Sequence, residues 1–155
     1  MTSSGILAAG AMVSKLLWPT PADQNIDCTL LSDEDEQARQ RTLARGKRLR
    51  TELKIKGIPI LESRKVRNAF EHFDERLDRY LLDQGSRFIG DRNIGPKGPI
   101  VQIGGKLPPL LRHIDPHAGT VSVLDEEVDY RELSRAIADV SARASEWLGQ
   151  FHNAR

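Results

Sequence analysis

The chain has 155 residues, 39% of them hydrophobic and 29% charged, with 23 Lys and Arg against 22 Asp and Glu and one cysteine. That size and balance fit one globular domain, residues 1–155, with a cytoplasmic setting as the expectation. The lone Cys28 excludes an internal disulfide framework and a cysteine-based zinc site, and the near-zero net charge excludes a global electrostatic pull on nucleic acid or membrane.

The most apolar stretch, Gly5 to Trp18, is shorter than the ~20 apolar residues of a membrane span and is interrupted by Lys15. No basic residue precedes it as in a secretory signal. Ile6, Ala9, Val13, Leu16 and Leu17 recur at helical spacing, so a packed amphipathic helix stopped by Pro19 and Pro21 is expected. A polar connector follows to Leu31. Ser32 then reads as an N-cap, with Asp33, Glu34 and Asp35 in the first turn, where the helix dipole favours acids. That helix turns basic: Arg39 to Lys56 holds eight Lys or Arg against Glu52 alone, over a thin stripe of Leu43, Leu49 and Leu53. Gly57 and Pro59 are its expected end.

A third helix is expected from about Leu61 to Leu82, with Val66, Phe70, Phe73, Leu77 and Leu81 on one stripe and Gly85 closing it. Residues 88–123 change character, with Gly and Pro separating β-branched runs at Ile100 to Ile103, Leu110 to Ile114 and Thr120 to Val123. Asp115-Pro116-His117-Ala118-Gly119 between the last two runs signals a turn, hence a small hairpin. A last helix, about Tyr130 to Phe151, carries Leu133, Ile137, Val140, Ala144, Trp147 and Phe151 on one face. The expected fold is therefore mainly α, a helical bundle with a small inserted β-hairpin. No βαβ rhythm and no phosphate-binding glycine loop are present in the sequence.

The chemistry-bearing residues cluster on the third helix. With Phe70 at zero, the apolar stripe falls between about −60° and +20°, which leaves Asn68 and His72 on the opposite side, four residues apart. Arg67 lies about 140° round from His72, so the two share a ligand only with help from a second surface, such as another copy across a two-fold axis. One reading of this face is a solvated surface of ordinary pairs, Arg67 with Glu71 and Glu75 with Arg79. The other is catalytic: imidazole is the natural acid/base near neutral pH, and an arginine holds phosphate, the two groups that a metal-free ribonuclease needs.

Arg67-Asn68-x-x-x-His72 resembles the R-x4-6-H motif of HEPN domains. These are helical bundles of about this size that dimerise so that two motifs line one cleft, and many are metal-independent RNases of toxin–antitoxin, CRISPR-linked and phage-defence systems. The resemblance implies Arg67 as the phosphate-binding group, His72 as the acid/base and Asn68 as the polar second position. It implies no metal and no cofactor, a homodimer, an RNA substrate and a protein partner such as an antitoxin. The longer string RNAFEHFDERLDRY, with DRNIGP and the hairpin, is similar to a group of small bacterial proteins without an assigned activity. A second match to the short motif, Arg112 to His117, crosses the expected turn rather than following a helix.

In the basic helix, Arg41, Arg45 and Arg48 are the candidate RNA contacts; the alternative is a solvated face, or one that pairs with the acids of the third helix. His113 and His117 flank the hairpin turn and are read as surface residues rather than metal ligands. Trp18, Trp147 and Phe151 belong to apolar stripes, as core or dimer contacts. Two functions stay open: a metal-independent endoribonuclease acting as a toxin or defence effector, and a non-catalytic scaffold or protein-binding module.

Overall fold

The computed structural model describes residues 3–19, 32–63, 65, 77–79, 82, 90–96, 110–124 and 126–153. Helix α1, Ser3–Leu17, is rich in Ala and Gly, which lets neighbouring chain approach closely. Its buried face is Leu7, Gly10, Ala11, Ser14 and Leu17, spaced by three and four residues. The expected face was rotated from this one: Ile6 and Val13 pack at its edge, but Leu16 points outward.

Helix α2, Asp33–Glu52, starts in a capping box in which the Ser32 side chain accepts from the Asp35 N–H and the Asp35 carboxylate accepts from the Ser32 N–H. It stops five residues before Gly57. The Ile55 N–H bonds to the Arg50 carbonyl and the Lys54 N–H to the Thr51 carbonyl, a Schellman closure with Lys54 in the left-handed conformation at φ 52°. Where α2 crosses the end of α1, the buried residue is Gly46. A β-carbon there would collide with the Pro19 ring, its Cγ at 2.8 Å, and with the Leu17 carbonyl oxygen at 2.9 Å.

Helix α3, Pro59–Glu62, is a single turn with proline at its start and the fully buried Leu61 inside. The buried Ser14 hydroxyl donates to the Leu61 carbonyl and ties α3 to α1. Ser63 turns extended, with ψ 138°, so the chain does not run as one helix from Leu61. Lys65, residues 77–79 and Leu82 are helical; the rest of the expected third helix, and the expected run Ile100 to Ile103, lie outside the described residues.

The fold class is α+β, which corrects the expected helical bundle with an inserted hairpin. Strands β1 (Asn93–Ile94), β2 (Arg112–Asp115), β3 (Thr120–Val123) and β4 (Glu126–Asp129) form one mixed sheet in the order β1-β2-β3-β4. The first pair is parallel and the others antiparallel. The expected hairpin is the middle of this sheet. β4 carries no strand signal in its residues, because Glu126-Glu127-Val128-Asp129 has one apolar residue and acids are depleted in strands. β1 is too short to show a period. The sheet thus reaches past residue 123 and feeds directly into helix α4, Tyr130–Asn153.

The register places Ile114, Val121 and Val128 side by side on one face. Val121, Val123 and Val128 share the core with Leu7, Leu61, Leu133 and Val140, so the sheet is a packing layer for α4 rather than an appendage. Asp129 caps α4, its Oδ1 accepting from the N–H groups of Arg131 and Glu132 at 2.8 Å each. The β2–β3 turn is pinned to that cap: Arg131 donates to the Pro116 carbonyl, and its guanidinium fills the space beside Gly119, whose φ of +76° suits glycine.

Candidate functional site

Opposite Gly46, α2 presents its outer surface. On a 100° wheel with Gly46 at zero, Arg41, Arg45 and Arg48 fall within about 60° of one another, from roughly −100° to −160°. All three are exposed. The other arginines of the helix are committed. Arg39 pairs two-pronged with Glu36, Nε to Oε2 at 2.7 Å and Nη2 to Oε1 at 2.9 Å. Those hydrogen bonds, with a further one from Gln40, lower the Glu36 carboxyl to a pKa of about 2. Arg50 donates to the Leu17 carbonyl at the end of α1 and lies over the Trp18 ring, 5.7 Å from its centroid. Arg48 faces Glu52 at 3.8 Å, the outer limit of an ion pair. Arg41 and Arg45 have no ion-pair partner among the described residues. The basic run is therefore divided by its own geometry: one side holds the fold, and the other faces outward with its charge available.

Arg67, Asn68 and His72 lie outside the described residues, as do Glu71 and Glu75. Within reach of description on that segment, Leu77 packs against the core and Asp78 and Arg79 are exposed. The second motif match separates as expected. Arg112 sits on β2, paired with Asp91 through Nε to Oδ1 at 2.7 Å and through Nη2 to Oδ2, while His117 is exposed in the turn. The hydrogen bonds from Arg112 hold the Asp91 carboxyl below its ordinary range and raise the guanidinium in return.

His113 corrects the surface reading, being 1% exposed. Strand alternation places it on the face away from Ile114, in a polar row that crosses all four strands: Asn93, His113, Ser122 and Glu127 are successive register partners. Asn93 Nδ2 faces His113 Nδ1 at 2.8 Å, and Ser122 Oγ donates to Glu127 Oε2 at 3.3 Å. With the amide donating, Nδ1 accepts and the ring proton sits on Nε2, which finds no hydrogen-bond partner among the described residues. The alternation of Arg112-His113-Ile114-Asp115 carried the signal that His113 and Asp115 share a face. Asn93 and Glu127 belong to the two strands that had none. Asp115 itself shapes the turn, its Oδ1 accepting from the His117 and Ala118 N–H groups at 2.9 Å.

A shallow cleft of about 270 Å³ opens between α3 and the β4–α4 junction, lined by Pro59, Ile60, Ser63, Lys65, Glu127, Val128, Asp129 and Glu132. Its acids outnumber its one lysine, so it does not suit a phosphate. Among the described residues no helix is long and apolar enough to cross a membrane. The chain matches no protein-family model, no curated protein and no solved structure.

Proposed function

We propose that this protein is a cytoplasmic, metal-independent endoribonuclease that holds an RNA backbone on the outer face of α2 and cleaves it with Arg67 and His72. The observation that carries the RNA half of this reading is the exposed row of Arg41, Arg45 and Arg48, two of whose members meet no acid among the described residues. Paired cations spend their field internally, whereas unpaired ones are free to displace counterions from a phosphate chain. The cleavage half rests on the Arg67-Asn68-x-x-x-His72 spacing and its resemblance to HEPN motifs, not on the architecture, which is α+β.

In this reading His72 takes the proton from a 2′-OH and returns it to the leaving 5′-oxygen, while Arg67 stabilises the charge that develops on the phosphoryl oxygens. Asn68, one turn before His72, orients it. Two copies of the motif meet in a homodimer, and an antitoxin-like partner restrains the activity. The test is cleavage of a labelled RNA in the presence of a chelator. Wild-type protein is expected to cut, and His72→Ala and Arg67→Ala to lose at least a hundredfold in rate. An inactive wild type, or variants as active as wild type, would refute it.

A second reading, a non-catalytic protein-binding module, is favoured by Met12 and Leu16, 68% and 48% exposed and one turn apart on α1. It predicts a stable complex that survives His72→Ala and is lost in Met12→Lys/Leu16→Lys.

A further inference from the structure

Resting on the RNA reading above, the geometry of α2 points to a substrate class: we infer that the outer row recognises double-stranded RNA by its phosphates. Three features of the helix converge on this. First, the row is short and stands on a helix held in place. Arg41, Arg45 and Arg48 span about two turns, roughly 10 Å along the axis, and the opposite side of the same two turns is seated on α1 through Gly46 and Arg50. Such a row presents its cations from a fixed helix backbone rather than from an adaptable groove, and A-form duplexes present phosphates in a fixed array that proteins read by shape.

Second, α2 offers no stacking platform. The helix contains no aromatic residue. Trp18 is covered by Arg50 on the packed side. Trp147, against the end of α2, is half-buried and spends its indole N–H on Glu52 Oε2 at 3.2 Å, so a carboxylate stands beside that ring. Single-strand binders gain much of their affinity from bases stacked on aromatic side chains, whereas a duplex keeps its bases inside and asks only for cations.

Third, the charge along α2 is bipolar. Asp33, Glu34, Asp35 and Glu36 fill the first turn, immediately before the basic segment. A single strand laid along the helix would run into these acids within a few nucleotides. A duplex crossing the helix at an angle touches the basic turns and passes clear of the acidic one.

The experiment is a fluorescence-anisotropy titration of the full chain with a 20-base-pair RNA duplex and with one of its strands alone, both carrying 2′-O-methyl groups. Methylation removes the nucleophile of the proposed cleavage, so binding is read separately from catalysis. The expected result is duplex binding at least tenfold tighter than single-strand binding, with a log–log salt slope of roughly −2.7 for three phosphates. R41Q/R45Q/R48Q should lose at least tenfold in duplex affinity with an unchanged circular dichroism spectrum and melting temperature. R41K/R45K/R48K, which keeps the point charges, should stay within about threefold of wild type. Equal or tighter binding of the single strand would overturn the duplex assignment and leave the RNA reading standing. Binding of neither RNA would overturn both. Unchanged duplex affinity in the glutamine variant would remove this face from the interface, and displacement of the duplex by polyglutamate at equal charge would assign the row to an acidic protein instead.

Discussion

On the side of α2 that meets α1, Arg50 donates to the Leu17 carbonyl and covers Trp18, and Gly46 leaves room for Pro19. On the opposite side of the same turns, Arg41 and Arg45 meet no acid among the described residues. Composition alone gives both sides the same label, a basic amphipathic helix. Packing separates them: an arginine whose donors satisfy a helix-end carbonyl contributes to the fold, and one that points into water contributes a field. Substitutions on the inner side should therefore cost stability, and those on the outer side should cost almost none.

The largest effect is expected at Gly46. Gly46→Ala gains about 1 kcal/mol in helix propensity, yet its methyl collides with the Pro19 ring and the Leu17 carbonyl. Overpacking against backbone and a rigid ring should win, with a net loss of about 1–3 kcal/mol read from the urea midpoint. Lys54→Gly probes the end of the same helix from the other direction. At φ 52° a lysine bears the left-handed penalty that glycine does not, so stability should rise by about 0.5–1 kcal/mol. Arg41→Ala and Arg45→Ala should each stay within about 0.5 kcal/mol of wild type; a larger loss in either would mean that the outer side also holds the fold.

The smallest effect belongs to Glu36. Its carboxyl is lowered from 4.5 to about 2 by hydrogen bonds from Arg39 and Gln40. A depressed folded pKa contributes stability that is fully present above pH 4.5 and is lost as pH falls through about 2, so the Arg39 pair should persist to that acidity. A carboxyl carbon-13 titration by NMR should place the Glu36 midpoint well below the ordinary carboxylate range, and Arg39→Gln should move it up.

Local rules were legible in the residues. The start of α2 needed only Ser32 as its N-cap and the acids after it, and the α4 stripe through Leu133, Ile137 and Val140 needed only a period. What stayed hidden depends on distant partners. Gly46 has a reason only once Pro19 is placed against it, and Arg50 is distinguished from Arg41 by a carbonyl 33 positions away and by the Trp18 ring beside it. β4 hid behind three acids, because an edge strand is held by backbone pairing that its side chains do not announce. Without β4 and β1 the sheet reduces to a hairpin with His113 at its surface, whereas in the full sheet His113 is buried between the half-buried Asn93 and the buried Ser122. The candidate RNA contacts were legible as a cluster of charges; which of them are free was not.

One double measurement tests the central claim most directly: the melting temperature and the RNA affinity of R41Q/R45Q/R48Q, determined on the same preparation. A wild-type melting temperature with at least a tenfold weaker affinity is the predicted outcome. Wild-type affinity, or a loss of affinity that follows a loss of folding, would contradict it.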